Sequence, residues 1–165
     1  MILRSACMDE VDAIYRCIED ARAYHAAMGF VQWHAGYPTV QTIRDDLAAQ
    51  TGYVFAEGGE ILGYCCIMLG EDPAYRVIDG AWKTDRPYAV AHRMAFGAHC
   101  RGTGLSQEAF SLMKAFCVEH GMDAIRVDTQ EENKVTQHIL EREGFQYCGT
   151  ILFDGSPKLA YEWDR

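Results

Sequence analysis

Apolar and polar residues alternate along this chain with two different periods, which predicts a series of helices and strands. From Asp9 to about Met28 the apolar residues recur at helical spacing. Further helices are predicted after Thr39, from Gly104 to His120, and from Asn133 to Glu143. The shorter apolar runs predict strands over residues 2–5, 53–57, 60–69, 88–96, 124–128, 146–152 and 158–163.

The order of these elements predicts a mixed α/β (α+β) fold. We expect a central, mostly antiparallel sheet of about seven strands with helices on both faces. The stretch 70–86 is polar and irregular and contains Pro73, Gly80 and Asp85. No repeat, low-complexity tract or linker divides the 165 residues, a length that suits one domain. We therefore expect a single domain over residues 1–165.

Charge and cysteine content narrow the classes of partner and compartment. A net charge of −9 and a pI near 5.0 argue against nucleic acid or an anionic membrane as partners. The charge is compatible with a cationic substrate such as an amine, although surplus acid more often serves only solubility. Seven cysteines without CxxC spacing favour reduced thiols in the cytoplasm. No basic start precedes an apolar signal core, no apolar run approaches the roughly 20 residues of a membrane span, and no histidine pair has metal-ligand spacing.

A glycine-rich loop between a strand and a helix carries the first chemical signal. The strand over 88–96 leads to Arg101-Gly102-Thr103-Gly104-Leu105-Ser106, where a helix opens. Glycines let the backbone approach a ligand, and the unpaired amides of a first helical turn attract phosphate. The Walker motif fails because Leu105 follows Gly104, and the dinucleotide motif fails at Gln107. The loop alone therefore indicates a phosphate or pyrophosphate site, or a plain helix-start turn.

Four segments of the chain, in order, resemble the GNAT acetyltransferase superfamily. Arg101-x-x-Gly104-x-Ser106 resembles its pyrophosphate signature, and Arg93-Met94-Ala95-Phe96 resembles its fourth strand. Downstream, the run Arg126–Thr129, then Asn133, then Gly144-Phe145 resembles its fifth strand and the helix that follows. Gln32-Trp33-x-x-Gly36-Tyr37-Pro38 is similar to a bacterial, small-molecule-type branch. The resemblance covers essentially the whole chain.

The resemblance implies a site for acetyl-CoA as co-substrate, with no metal. In this family the fourth and fifth strands splay apart, and the pantetheine arm pairs with backbone there, at Met94, Ala95 and Phe96 in this chain. It implies that the amides of Arg101, Gly102, Thr103, Gly104, Leu105 and Ser106 hold the pyrophosphate. Asn133 is expected to hydrogen-bond the cofactor arm. The family also suggests a homodimer.

The acid that protonates the leaving thiolate is the main departure from the family. Members often place a tyrosine seven residues after the asparagine, where this chain has Leu140. Tyr147 in the following strand is a substitute, with a half-buried strand aromatic as the alternative interpretation. A thiolate also leaves without an acid, since a thiol has a pKa of only about 8–9.

His92 is the candidate general base, because acetyl transfer needs a neutral amine and imidazole titrates near pH 7. It lies two residues before Met94, so strand alternation would place both side chains on one face. The alternative is a histidine packed in the sheet. Trp33 and Tyr37 lie in a loop that borders the acceptor site in this family, where they would bind the substrate or anchor the loop to the core.

Three functions follow as hypotheses. The first is an N-acetyltransferase that moves acetyl from acetyl-CoA to a primary amine of a small molecule or peptide. The second is a non-catalytic acyl-CoA-binding or sensing protein, which the missing tyrosine at Leu140 favours. The third is a nucleotide-binding protein of another fold.

Overall fold

The chain forms alternating helices and strands, close to the bounds predicted from hydrophobic periodicity. The computed structural model describes residues 1–30, 33, 36–153 and 155–165, so Gln32 lies outside the described residues. The α-helices in this part of the chain are α1 (Val11–Ala27), α2 (Val40–Ala48), α3 (Leu105–Glu119) and α4 (Lys134–Arg142). The strands are β1 (Ile2–Ser5), β2 (Gly52–Glu57), β3 (Glu60–Leu69), β4 (Ile78–Gly80), β5 (Tyr88–Phe96), β6 (Ala124–Thr129), β7 (Gln146–Phe153) and β8 (Ser156–Asp164).

The strands form one sheet in the order β1-β2-β3-β5-β6-β8-β7-β4. β5 and β6 pair in parallel, whereas β1 with β2, β2 with β3, β6 with β8, β7 with β8 and β4 with β7 pair in antiparallel fashion. The predicted mixed α/β class with a mostly antiparallel sheet is therefore confirmed. The described residues give eight strands rather than about seven.

The additional strand, β4, lies in the stretch 70–86 that the sequence pattern marks only as irregular. It has three residues, too few for an alternating pattern to be recognised, and it pairs with β7 from Ile78↔Ile151 to Gly80↔Gly149. A Cβ atom at Gly80 would clash with the carbonyl oxygen of Cys148. Glycine at this position therefore permits a backbone approach that any side chain would prevent.

The chain divides into two compact units, which we describe separately. The first unit comprises Met1–Ile67 and Arg93–Leu112, and the second comprises Met68–His92 and Met113–Arg165. In the first unit, α1 and α2 pack on β2, β3 and the end of β5. Its core includes Val11, Ile14, Ile18, Ile43, Val54, Tyr64 and Ala95. The single domain over 1–165 stays a prediction.

Local capping explains where the helices begin and end. α2 starts after Thr39, whose hydroxyl accepts a hydrogen bond from the Thr42 amide at 3.0 Å. α4 ends before Gly144, which has a φ of +84°. The Phe145 amide then donates to the carbonyl of Leu140 at 2.9 Å, so the last turn is closed by the left-handed glycine.

The second unit is built around a buried ion pair. The Arg126 guanidinium donates through Nε to Glu162 Oε2 at 2.6 Å, with side-chain exposures of 7% and 0%. The guanidinium also lies over the rings of Trp82 and Tyr88, at 4.3 and 3.7 Å from their centroids. The other Glu162 oxygen accepts from the Thr84 amide at 2.8 Å. The pair thus fixes the segment before β5 onto β6 and β8.

The seven cysteines all lie in the described residues, and Cys7 is the one that is exposed. Burial raises the pKa of Cys17 to about 11 and that of Cys117 to about 12. These two thiols are therefore protonated and unreactive in the folded chain. Within the part of the chain that the structure covers, no helix combines the length and apolarity required to cross a membrane.

We expect Glu162→Ala to lower the free energy of unfolding by about 3–5 kcal/mol, because it leaves the Arg126 charge buried without its partner. The control is Glu71→Ala, which removes an exposed pair with Arg76 at 3.2 Å and should change stability by less than about 1 kcal/mol. Urea unfolding followed by circular dichroism measures both. Equal losses of unfolding free energy in the two variants would show that the buried Arg126–Glu162 pair contributes no more to stability than the exposed Arg76–Glu71 pair.

Candidate active site

The loop between β5 and α3 has the geometry of an anion-binding turn. Gly102 and Gly104 have φ values of +74° and +83°, in the left-handed region that disfavours side chains. A Cβ atom at either position would meet nothing within 4 Å. The two glycines are therefore required by the backbone turn itself, and the space in front of them is open.

The backbone amides of this loop differ in whether the protein supplies an acceptor. The amide of Arg101 donates to Ala98 at 3.3 Å and that of Thr103 to Cys100 at 3.4 Å. By contrast, the amides of Gly102, Gly104 and Leu105 make no backbone hydrogen bond with any described residue. Open amides at the start of a helix of 15 residues combine donors with the positive end of its dipole. The loop therefore fits a pyrophosphate.

Helix α1 holds this loop in place. Arg101 Nη2 donates to the Asp20 carbonyl at 2.5 Å, and its guanidinium lies 4.8 Å from the centroid of the Tyr24 ring. The Ala98 amide donates to the Asp20 carboxylate at 2.7 Å. The side chain of Arg101 thus anchors the loop to α1, a role that the motif spacing did not predict.

Arg93 in β5 has an unusual backbone conformation. Its φ of +55° lies in the left-handed region although it is not glycine. The sequence carried no signal for this, because arginine seldom adopts that conformation. The expectation that His92 and Met94 share a face of the strand stays a prediction.

A buried ion pair stabilises the left-handed Arg93. Its Nε and Nη2 donate to the two oxygens of Asp46 at 2.9 and 2.5 Å, and Tyr64 donates to the same carboxylate at 2.7 Å. Burial, and then the Asp46 carboxylate, raise the pKa of the Tyr64 phenol above its ordinary value. The remaining nitrogen of Arg93 donates to the Tyr37 hydroxyl at 3.1 Å.

The two aromatic residues proposed for the acceptor site have different surroundings. Trp33 is 9% exposed, belongs to the core of the first unit, and lies 5.1 Å from the His25 ring. This is the anchoring position that was the alternative interpretation. Tyr37 is 37% exposed and held by Arg93, so its ring is accessible to a ligand.

His92 lies in a cluster of polar side chains in the second unit. Its Nε2 is 2.8 Å from Asp72 Oδ2, and its Nδ1 is 3.7 Å from Asp128 Oδ1. Tyr75 donates its hydroxyl to Asp128 Oδ1 at 2.5 Å. Burial, and then the Asp128 carboxylate, raise the pKa of Tyr75 well above its ordinary value, so the phenol remains a donor. The Asp72 contact selects the imidazole tautomer with a proton on Nε2.

Neither Asp72 nor Asp128 is among the residues that the sequence pattern predicts for the site. Asp72 caps the short 3-10 helix Pro73–Tyr75, where its side chain accepts from the Ala74 amide at 2.9 Å. An Asp-Pro pair is a recognisable turn signal, but the sequence could not show that the second oxygen would reach His92. Asp128 stands inside the Arg126–Thr129 run, whose pattern indicates only a strand.

The remaining predicted site residues are placed as follows. Asn133 is buried, and its side-chain oxygen accepts from the Thr136 amide at 3.0 Å, which makes it the cap of α4. Leu140 is buried at 2% exposure. Tyr147 is 51% exposed, and its ring lies edge-on to Tyr161 at 5.7 Å. Its hydroxyl forms no hydrogen bond with the described residues.

The parallel strands β5 and β6 pair only over their first three residues. The paired residues in this register are Tyr88↔Ala124, Ala89↔Ile125 and Val90↔Arg126. β5 then continues to Phe96 and β6 to Thr129. This short register fits the splayed fourth and fifth strands that the resemblance implies. In the described residues no cluster of three or more His, Cys, Asp or Glu side chains could hold a metal ion.

Comparisons with known proteins agree with this geometry. Residues 14–145 match the model of the acetyltransferase (GNAT) family. A GNAT-family acetyltransferase from Streptococcus agalactiae is 35% identical, with a TM-score of 0.88 over 99% of this chain and 94% of that one. No curated protein matches the sequence.

More distant structures share the fold. The aminoglycoside acetyltransferase AAC(6')-Ib in complex with coenzyme A and kanamycin is 20% identical, with a TM-score of 0.72 over 99% of this chain and 94% of that one. A ribosomal-protein-alanine N-acetyltransferase from Brucella melitensis is 14% identical, with a TM-score of 0.69 over all of both chains. The third hypothesis, a nucleotide-binding protein of another fold, is therefore wrong.

We expect Gly104→Ala to weaken coenzyme A binding by at least about tenfold, because misdirecting one amide–phosphate hydrogen bond costs roughly 1.5–3 kcal/mol. Gly58→Ala is the matched control, since Gly58 also has a positive φ, +57°, and nothing within 4 Å of its Cβ. Both variants should lose about 1–2 kcal/mol of stability from the left-handed backbone. Isothermal titration measures the affinity, and equal affinities in the two variants would contradict a pyrophosphate site at this loop.

Proposed function

The chain belongs to the acetyltransferase (GNAT) family, and on this basis we propose that it moves the acetyl group of acetyl-CoA to a primary amine. Acetyl-CoA supplies an activated thioester carbonyl when bound. The observation that carries the proposal is His92, fixed by Asp72 at 2.8 Å and placed in β5 immediately before the stretch Arg93–Phe96. The products are an acetamide and the free thiol of coenzyme A.

We propose that acetyl-CoA lies along the end of β5, with its pyrophosphate at the start of α3. The open amides of Gly102, Gly104 and Leu105 support the second part of this assignment. Backbone groups of Met94, Ala95 and Phe96 are the proposed partners of the pantetheine arm, by resemblance to the family. The other proposed contacts to the cofactor come from Thr103, Ser106 and the side-chain nitrogen Nδ2 of Asn133.

His92 is the proposed general base. With the Nε2 proton directed to Asp72, the Nδ1 lone pair is left to accept a proton from the amine. His92 lies two residues before Met94 in β5, the strand whose end is the proposed binding stretch for the pantetheine arm.

Protonation of the leaving thiolate does not require a dedicated acid in this proposal. Leu140 fills the position of the family's tyrosine and is buried. Tyr147 remains a candidate because its side chain is half exposed. A coenzyme A thiolate is a good enough leaving group to depart with protonation by water, since thiols have a pKa of only about 8–9.

The acceptor is proposed to be a primary amine on a small molecule or a peptide, with Tyr37 as a candidate wall of its site. Structures that share the fold include an enzyme in complex with kanamycin and a ribosomal-protein-alanine N-acetyltransferase. Both kinds of acceptor carry amines, so the fold is compatible with either. The low exposure of Trp33 favours a supporting role for that residue.

A non-catalytic acyl-CoA-binding or sensing protein is the second candidate function. The absence of the usual tyrosine, with Leu140 in its place, is the observation that favours it. The pyrophosphate loop serves both functions equally. Thiol release from acetyl-CoA over a panel of amines distinguishes them, because a sensor binds acetyl-CoA without releasing thiol.

We expect His92→Ala to lower kcat/KM by about 10²–10⁴, the range for loss of a general base, while the affinity for coenzyme A is unchanged. His120→Ala is the control, since His120 is exposed at the end of α3 and bonds the Phe116 carbonyl at 2.8 Å. Thiol release across pH measures both. An unchanged pH dependence in His92→Ala would exclude His92 as the base.

A further inference from the structure

Asp72 and Asp128 flank the same imidazole but use their oxygens differently. Both oxygens of Asp72 are engaged, Oδ1 by the Ala74 amide at 2.9 Å and Oδ2 by His92 Nε2 at 2.8 Å. In Asp128, Oδ1 accepts from Tyr75, whereas Oδ2 forms no hydrogen bond with any described residue. The side chains of Asp72 and Asp128 are 12% and 11% exposed. Both oxygens of Asp72 are therefore occupied by hydrogen bonds within the protein, whereas Oδ2 of Asp128, the open oxygen, remains available to a ligand.

The open oxygen of Asp128 is accessible to a ligand. It is not one of the buried polar atoms that lack a partner, and the Tyr75 hydroxyl donates only to the other oxygen. The rings of Tyr75 and Phe153 lie 5.7 and 5.5 Å from the His92 ring. Apolar surface beside this cluster lowers the local dielectric, which strengthens a hydrogen bond to the carboxylate. A ligand with N–H or O–H groups is therefore expected at the open oxygen.

His92 adds a second acceptor beside the first. In the tautomer that donates to Asp72, Nδ1 carries a lone pair and lies 3.7 Å from Asp128 Oδ1, too far for a direct hydrogen bond. A ligand with two donors on one atom can satisfy both neighbouring acceptors at once. A primary ammonium has three N–H donors and a positive charge that matches the carboxylate. An alcohol has one donor, and a neutral arylamine has no charge.

We propose that Asp128 binds the acceptor as an ammonium ion next to His92 Nδ1, which makes the enzyme selective for basic aliphatic amines. The inference rests on the proposed acetyl transfer and names its substrate class. One N–H bond of the ammonium breaks as the proton moves to Nδ1, and the electron pair stays on the amine nitrogen. That nitrogen is then neutral and able to attack the thioester. Asp72 is a positioning residue that holds the ring.

Asp128→Asn tests the assignment, because it keeps an oxygen for Tyr75 and removes the charge. The probes are benzylamine, which is an ammonium ion at neutral pH, and aniline, which is not. We expect KM for benzylamine to rise by about 10- to 100-fold, the value of one charge-assisted hydrogen bond, and KM for aniline to change much less. Asp79→Asn, an exposed carboxylate in β4, is the matched control and should change neither.

Asp72→Asn separates binding from positioning. It should lower kcat for benzylamine and aniline alike, with little change in KM, since it disturbs the ring rather than the ammonium contact. Equal effects of Asp128→Asn on the two amines, or none on benzylamine, would overturn the proposal. Unchanged affinity for coenzyme A shows that each variant is folded.

A binding measurement on the wild-type protein loaded with coenzyme A keeps the test independent of turnover and of any variant. Benzylammonium should bind more tightly than benzyl alcohol by about 10-fold or more, as measured by ligand-observed NMR titration. Equal binding of the two overturns the role of Asp128. Failure of every amine to release thiol overturns acetyl transfer instead, while the binding difference still decides the ammonium site.

Discussion

The ion pair between Arg93 and Asp46 is the constraint that sets the geometry of β5. A non-glycine residue in the left-handed region costs about 1–2 kcal/mol, and Arg93 is held there by two hydrogen bonds to one carboxylate that also accepts from Tyr64. α2, β3 and β5 thus meet at Asp46. This contact holds Arg93 in its left-handed conformation, immediately before the proposed cofactor stretch in the chain.

The loop after β5 shows how a fold can keep backbone donors available. Asp20 and Tyr24 of α1 hold Arg101, and the 3-10 turn before the loop uses its own carbonyls for Arg101 and Thr103. The amides of Gly102, Gly104 and Leu105 are left without backbone acceptors among the described residues. The protein therefore fixes the loop by its side chains while its amides stay open to an anion.

The polar cluster around His92 divides two tasks between two carboxylates. Asp72 is committed to a helix cap and to the imidazole, so it orients the ring and selects its tautomer. Asp128 accepts from the buried Tyr75 on one oxygen, and its other oxygen forms no hydrogen bond with the described residues, which is why we propose it as the ligand contact. Enclosure by aromatic rings strengthens both interactions, because hydrogen bonds to charged groups gain strength in a low dielectric. The net charge of −9 gives no information on this division.

Local patterns in the sequence are enough to define the four helices, seven of the eight strands in the described residues, and the glycine-rich loop between β5 and α3. These features depend on periodicity, caps and glycine positions within a few residues. Tertiary packing is needed for the three-residue β4, the left-handed Arg93, the core position of Trp33, and the convergence of Asp72, Tyr75 and Asp128 on His92. These contacts join residues far apart in the chain, such as Tyr75 and Asp128, which are 53 positions apart, and Ile78 and Ile151, which pair between β4 and β7. No local pattern encodes which distant carboxylate will meet an imidazole, because that meeting is a product of sheet register and packing.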